Sequence, residues 1–171
     1  MELAESLRRE AAQLRRDIVT MIHSAGSGHS GGSLSSAEIL SCLYGAVLNC
    51  SPERAADPER DRLILSKGHA APALYAALAY HGYFPREELS TLRRLGSRLQ
   101  GHPSRDRLPG IELSTGSLGM GISAGLGMAL AASVSGKKYR VYVLCGDGEL
   151  NEGQNWEAFM AMNKWRPDNL T

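Results

Sequence analysis

The chain has 171 residues, 19 Lys and Arg against 18 Asp and Glu, 43% hydrophobic residues, 19 glycines and 3 cysteines. That length supports one compact domain burying roughly 70% of its unfolded surface, and a net charge of +1 offers no basic stripe for nucleic acid or an anionic membrane surface. Cys42, Cys50 and Cys145 are odd in number and lack CxxC pairing, which argues against a disulfide framework or a cysteine zinc site and predicts a reducing, cytoplasmic compartment.

In chain order, Leu3, Leu7, Leu14, Ile18 and Met21 recur at helical spacing among Arg and Glu, which predicts an amphipathic first helix ending near Ala25-Gly26. Its charges leave no unbroken apolar region of the kind a signal peptide carries. No run reaches the roughly 18 apolar residues of a membrane span. Gly26 to Ser33 reads as a turn presenting His29. Ser35-Ser36-Ala37-Glu38 has capping-box form and predicts a helix from about Ser36 to Leu48. Arg62 to Ser66 reads as a short strand, Pro72 opens a helix reaching about His81, and Pro85-Arg86-Glu87-Glu88 begins another.

Gly96 to Leu113 is a long loop rich in Gly, Pro, Arg and Ser, a length usually tied to function. The Gly- and Ala-rich stretch Gly119 to Ser135 predicts a helix lying close against backbone. Val141 to Cys145 is the best strand, followed by a glycine turn and a helix from about Glu152 to Lys164. Asn169-Leu170-Thr171 starts a further strand. Strands alternating with helices predict an α/β fold with a mainly parallel sheet, whose ligands bind beyond the carboxyl ends of the strands.

Gly146-Asp147-Gly148-Glu149-Leu150-Asn151-Glu152-Gly153 lies between strand and helix but fails the GxGxxG fingerprint, because Asn151 stands at the third glycine position. Its three carboxylates would repel a phosphate unless a cation intervened, which points to a hard divalent metal bridging Asp147 to a diphosphate. The plainer reading is a tight turn with solvated acids. Gly26 to Ser33 lacks the P-loop lysine and a preceding strand. His29, His69 and His102 each stand beside a glycine, and their separations of 40 and 33 residues match no local metal spacing. They read as contacts to a polar substrate or cofactor, or in the plainer view as local hydrogen-bonding residues. His23 and His81 read as structural. The segment Ser114 to Gly121 either lets a flat ligand approach backbone, with Leu118 as an apolar wedge, or simply packs a helix.

Four segments, taken together and in order, resemble the thiamine-diphosphate-binding domain of transketolases, especially the amino-terminal subunit of split transketolases. They are SGHSGGSLSSAEIL (27–40), DRLILSKGHAAPALYAAL (61–78), LQGHPS with PGIELSTGSLGMGISAGLGMA (99–104 and 109–129), and GDGELNEGQNWEA (146–158). The resemblance implies one domain over 1–171 with a three-layer α/β/α fold, incomplete on its carboxyl-terminal side. It implies that Asp147 ligates Mg²⁺, that Gly146 and the backbone of Gly148 and Glu149 lie against the diphosphate, and that His69 contacts it. Gly116 and Leu118 would line the aminopyrimidine and thiazolium site, and His29 and His102 would act catalytically on the sugar hydroxyls. The implied activity moves a two-carbon unit from a ketose phosphate to an aldose phosphate, as in the pentose phosphate pathway, with the cofactor carrying the electron chemistry.

The resemblance also implies a partner: the carboxyl-terminal subunit supplies the glutamate that activates the aminopyrimidine, within a homo- or hetero-oligomer. Ser30 departs from the proline usual in the family. Only 23 residues follow Gly148, and the family motif runs on past that point to an asparagine, the second metal ligand. One of two side-chain ligands is therefore expected within the chain. The alternatives weighed are a deoxyxylulose-phosphate synthase, the α chain of a 2-oxo acid dehydrogenase and an inactive fragment; LSKGH and LQGHPS together favour transketolase.

Overall fold

The computed structural model describes residues 2–171. Helix α1, Glu2–Ala25, buries Ala11, Leu14, Ile18 and Met21, which share one face, and its first turn carries Glu2 and Glu5, favourable at the positive end of the helix dipole. Leu3 shares that helical phase but lies in the first turn and is exposed, so the buried stripe begins later than the apolar spacing predicts.

Between α1 and the following helix the chain is not a simple turn. Residues Ser30–Leu34 form a short helix, α2, with His29 as its N-cap. Helix α3, Ala37–Cys42, runs on into a π turn over Leu43–Val47, close to the predicted span. The capping box does not form. Ser35, the capping position of that box, already has helical backbone angles as the residue that ends α2, whereas a capping serine needs extended ones. The Ser35 and Ser36 hydroxyls instead donate back to the Gly32 carbonyl at 3.1 and 2.8 Å.

Strand β1, Arg62–Leu65, pairs in parallel with β2, Val141–Leu144, with Arg62 opposite Val141 and Leu65 opposite Leu144. Leu170 makes a parallel bridge to Val141. Asp61 ties the strand starts together, its buried carboxylate accepting from the Asn49 and Arg140 amides at 2.9 and 2.7 Å. Alternation assigns the faces: Leu63 and Leu65 join the core with α1, α3 and α4, while Val141 and Val143 pack with Ala129 and Ala132 of α5. The result is the expected three-layer α/β/α arrangement.

Helix α4, Ala71–Tyr80, is buried from Ala71 through Ala79. It is apolar all round, as a central helix must be. The segment after Pro85 forms a 3-10 helix, Arg86–Thr91, rather than the predicted α-helix. Ser90 and Thr91 hydroxyls donate to carbonyls three residues back, which favours the tighter turn. Helix α5, Met120–Val134, meets the strands through glycine: a Cβ on Gly121 would lie 2.3 Å from Ser66 Oγ, and one on Gly125 would lie 2.5 Å from Val143. Helix α6, Gly153–Trp165, closes the described chain before Leu170.

Candidate cofactor site

Both strands end in the same place. Leu65 leads into Ser66-Lys67-Gly68-His69 and Leu144 into Cys145-Gly146-Asp147-Gly148, so the residues after the two carboxyl ends face one another. Crevices of this kind are where open parallel sheets bind ligands.

Glu149 organises the crevice from below. It is 2% exposed, and one carboxylate oxygen accepts from Ser66 Oγ at 2.6 Å and from the Gly119 amide at 2.9 Å. The other accepts from the Gly146 amide at 3.0 Å. The carboxylate therefore joins the end of β1, the loop before α5 and the loop after β2. Glu149 turns inward because buried amides need an acceptor, and Asp147 is left exposed at the rim. Asn155 anchors the same turn, its side-chain N–H donating to the Glu149 carbonyl at 2.6 Å. Gly148–Asn151 is a 3-10 turn whose leading amides have no acceptor inside the helix.

Glycine sets the close approaches. A Cβ on Gly68 would sit 2.6 Å from the Gly116 nitrogen and 2.7 Å from the Thr115 carbonyl carbon, backbone atoms that cannot swing aside. Gly116 has φ +138, and a Cβ there would meet the His102 ring at 2.9 Å. Gly32 faces His69, whose Nε2 lies 3.1 Å from where its Cβ would be. Leu118 is half-buried two residues before α5.

The three glycine-flanked histidines converge. The His29 and His69 rings lie edge to face with centroids 5.2 Å apart. His102 lies over Gly116, which touches Gly68, the neighbour of His69. The His102 loop hangs from α4, where the Tyr75 hydroxyl reaches the Gln100 and His102 carbonyls at 2.9 and 3.1 Å. Burial lowers the His69 pKa from its ordinary value, reinforced by His29 and Lys67, with Glu149 opposing. His69 is therefore held uncharged near neutral pH. His23 lies exposed on α1. His81, at the end of α4, pairs with the buried Glu10 carboxylate at 2.8 Å.

Sequence reasoning assigned no role to Lys67, Ser66 or Thr115. Lys67 is buried beside Gly146, and burial lowers its pKa against the pull of Asp147, Glu149 and Cys145. Thr115 Oγ1 and Ser33 Oγ are buried without a hydrogen-bond partner. The only local hint was that these residues border the glycine and histidine motifs.

A diphosphate fits these groups. Backbone is open at Gly148, where a Cβ would meet nothing within 4 Å, the cation Lys67 and the histidines supply positive charge or donors, and Asp147 offers a hard oxygen for a metal. Among the described residues, no group of three or more His, Cys, Asp and Glu comes together as a metal cage. An ion at Asp147 therefore needs oxygens from elsewhere, as Mg²⁺ does when it bridges protein to phosphate.

The family model for the transketolase thiamine diphosphate binding domain matches residues 7–171. The chain belongs to this family, and thiamine diphosphate is its cofactor. It is 46% identical over 167 residues to an apulose-4-phosphate transketolase subunit of Actinobacillus succinogenes, covering 97% of this chain and 60% of that one. It is 48% identical over 164 residues to a 6-deoxy-6-sulfo-D-fructose transketolase subunit of a Clostridium species, covering 96% and 60%. Among solved structures, the Campylobacter jejuni transketolase superposes with a TM-score of 0.90 at 35% identity, covering 99% of this chain and 28% of that one. The chain thus spans about 60% of the length of the two subunit relatives.

Proposed function

We propose that the chain is the diphosphate-binding part of a split, Mg²⁺-dependent transketolase that moves a two-carbon glycolaldehyde unit from a ketose phosphate to an aldose phosphate, with the crevice as its thiamine diphosphate site. The carrying observation is the convergence of His29, His69 and His102 on the glycine crevice beside Asp147. Bound thiamine diphosphate supplies the nucleophilic carbon and the electron sink for carbon–carbon cleavage. Asp147 holds the metal, and Gly146, Gly148 and the Glu149 backbone flank the diphosphate. His69 hydrogen-bonds the diphosphate. Gly116 and Leu118 bound the space for the rings.

His29 and His102 orient the sugar hydroxyls and exchange protons with them, a task suited to imidazole near neutral pH. A partner subunit supplies the activating glutamate. Two observations support a partner: the relatives named above are subunits, and α6 presents Trp156, Phe159 and Met160 on one face, 59%, 38% and 68% exposed, an apolar face of the sort that marks an association surface. Among the described residues no helix is long and apolar enough to cross a membrane, and the reading places the complex in the cytoplasm.

The test is donor and acceptor sugar phosphates supplied to the full-length protein with its partner. Glycolaldehyde transfer that falls at least 100-fold in Asp147→Ala and recovers partly with excess Mg²⁺ is expected. Decarboxylation of pyruvate in place of transfer would reject the transketolase assignment.

A further inference from the structure

Lys67 is 6% exposed, and a buried ammonium costs free energy unless it is paired. Its Nζ lies 3.4 Å from the Gly32 carbonyl and 3.5 Å from Ser35 Oγ, both beyond the usual span of N–H···O bonds. The Gly32 oxygen does not need it. That carbonyl already accepts the Ser35 and Ser36 hydroxyls at 3.1 and 2.8 Å, which occupies both lone pairs.

Nor does a carboxylate neutralise Lys67. Glu149, the nearest buried acid in the crevice, spends its two oxygens on Ser66, Gly119 and Gly146. Asp147 stands at the exposed rim, and none of the ion pairs among the described residues includes Lys67. The stem passes beside Gly146, its Cβ and Cδ 3.6 Å from where a Gly146 Cβ would be. The ammonium thus lies between the Gly32 and His69 wall and the Gly146-Asp147 loop, without a strong acceptor.

We propose that Lys67 is a direct ligand of the cofactor's diphosphate, supplying the fixed positive charge that the protein side of the crevice otherwise lacks. This rests on the thiamine diphosphate reading of the site. Lys67 then acts on binding and not on the sugar, so its loss separates the phosphorylated cofactor from the bare ring system.

Binding of thiamine diphosphate with Mg²⁺, and of unphosphorylated thiamine, is measured by calorimetry on the full-length protein with its partner. Lys67→Met is expected to weaken thiamine diphosphate roughly 10- to 100-fold, the range of one charge-assisted hydrogen bond, and to leave thiamine within about twofold. Lys67→Arg restores most of the loss, and Lys67→Gln, which keeps a donor but no charge, does not. Equal weakening of both ligands, or wild-type affinity in both Lys67→Met and Lys67→Gln, overturns the proposal. If Lys67→Met fails to fold, the Gln and Arg pair decides by the same ratio. Wild-type protein that binds neither ligand refutes the underlying site reading, a result distinct from a mutant that matches wild type.

Discussion

Replacing Glu149 with glutamine changes one atom of a buried side chain whose acceptors are all engaged. One oxygen takes the Ser66 hydroxyl and the Gly119 amide, the other the Gly146 amide at 3.0 Å. Glutamine can reproduce the first oxygen, but its NH₂ then faces the Gly146 N–H, donor against donor. A lost hydrogen bond to a charged acceptor costs about 1.5–3 kcal/mol, and an unpaired buried donor about 1–3 kcal/mol. Removing the buried charge returns part of this. A net loss of about 2 kcal/mol is expected for Glu149→Gln, and about 4 kcal/mol for Glu149→Ala, which strands three donors and leaves a cavity. Equilibrium urea unfolding followed by far-UV circular dichroism measures both, with the exposed Glu152→Gln as a control expected within about 0.5 kcal/mol of wild type. If Glu149→Gln unfolds within that same margin, the carboxylate is not the acceptor of these amides and the three loops are not joined through it.

Gly68→Ala places a methyl against the Gly116 and Thr115 backbone at 2.6 and 2.7 Å, so it should cost about 1–3 kcal/mol in urea unfolding and weaken thiamine diphosphate at least tenfold by calorimetry; wild-type affinity would show that the loop before α5 does not line the site. His69 should titrate below the ordinary histidine value of 6.5 by NMR, because burial and neighbouring His29 disfavour its charge. Between that lowered value and 6.5 the unfolded chain binds the extra proton, so this residue's contribution to stability falls as pH drops below 6.5 and is flat above it. His69→Gln should flatten that slope, and an unchanged slope would place the titration elsewhere.

Local signals carried much of the fold. The α1 face from Ala11 to Met21, the buried run of α4 and the small-residue contact of α5 with the strands are written in spacing and side-chain size, which act within a few residues. The short helix α2 was hidden because Gly31 and Gly32 carry poor helix propensity, and its support comes from packing, with Ser33 buried. The capping box failed for the complementary reason: the motif was present, but the end of α2 had already set Ser35 in helical geometry.

The site divides the same way. The types and order of its residues, Asp147 in a glycine turn and His29, His69 and His102 beside glycines, belong to the sequence alone and were enough to suggest a metal-bridged diphosphate. The sequence singled out Asp147, but what the Glu149 side chain does was not legible there. Tertiary structure separated them, because three buried donors from distant loops need one acceptor and only Glu149 reaches them all. The same packing buried Lys67 without a carboxylate. Sequence specifies which chemical groups are available, and burial decides which are already spent on the fold and which remain for a ligand.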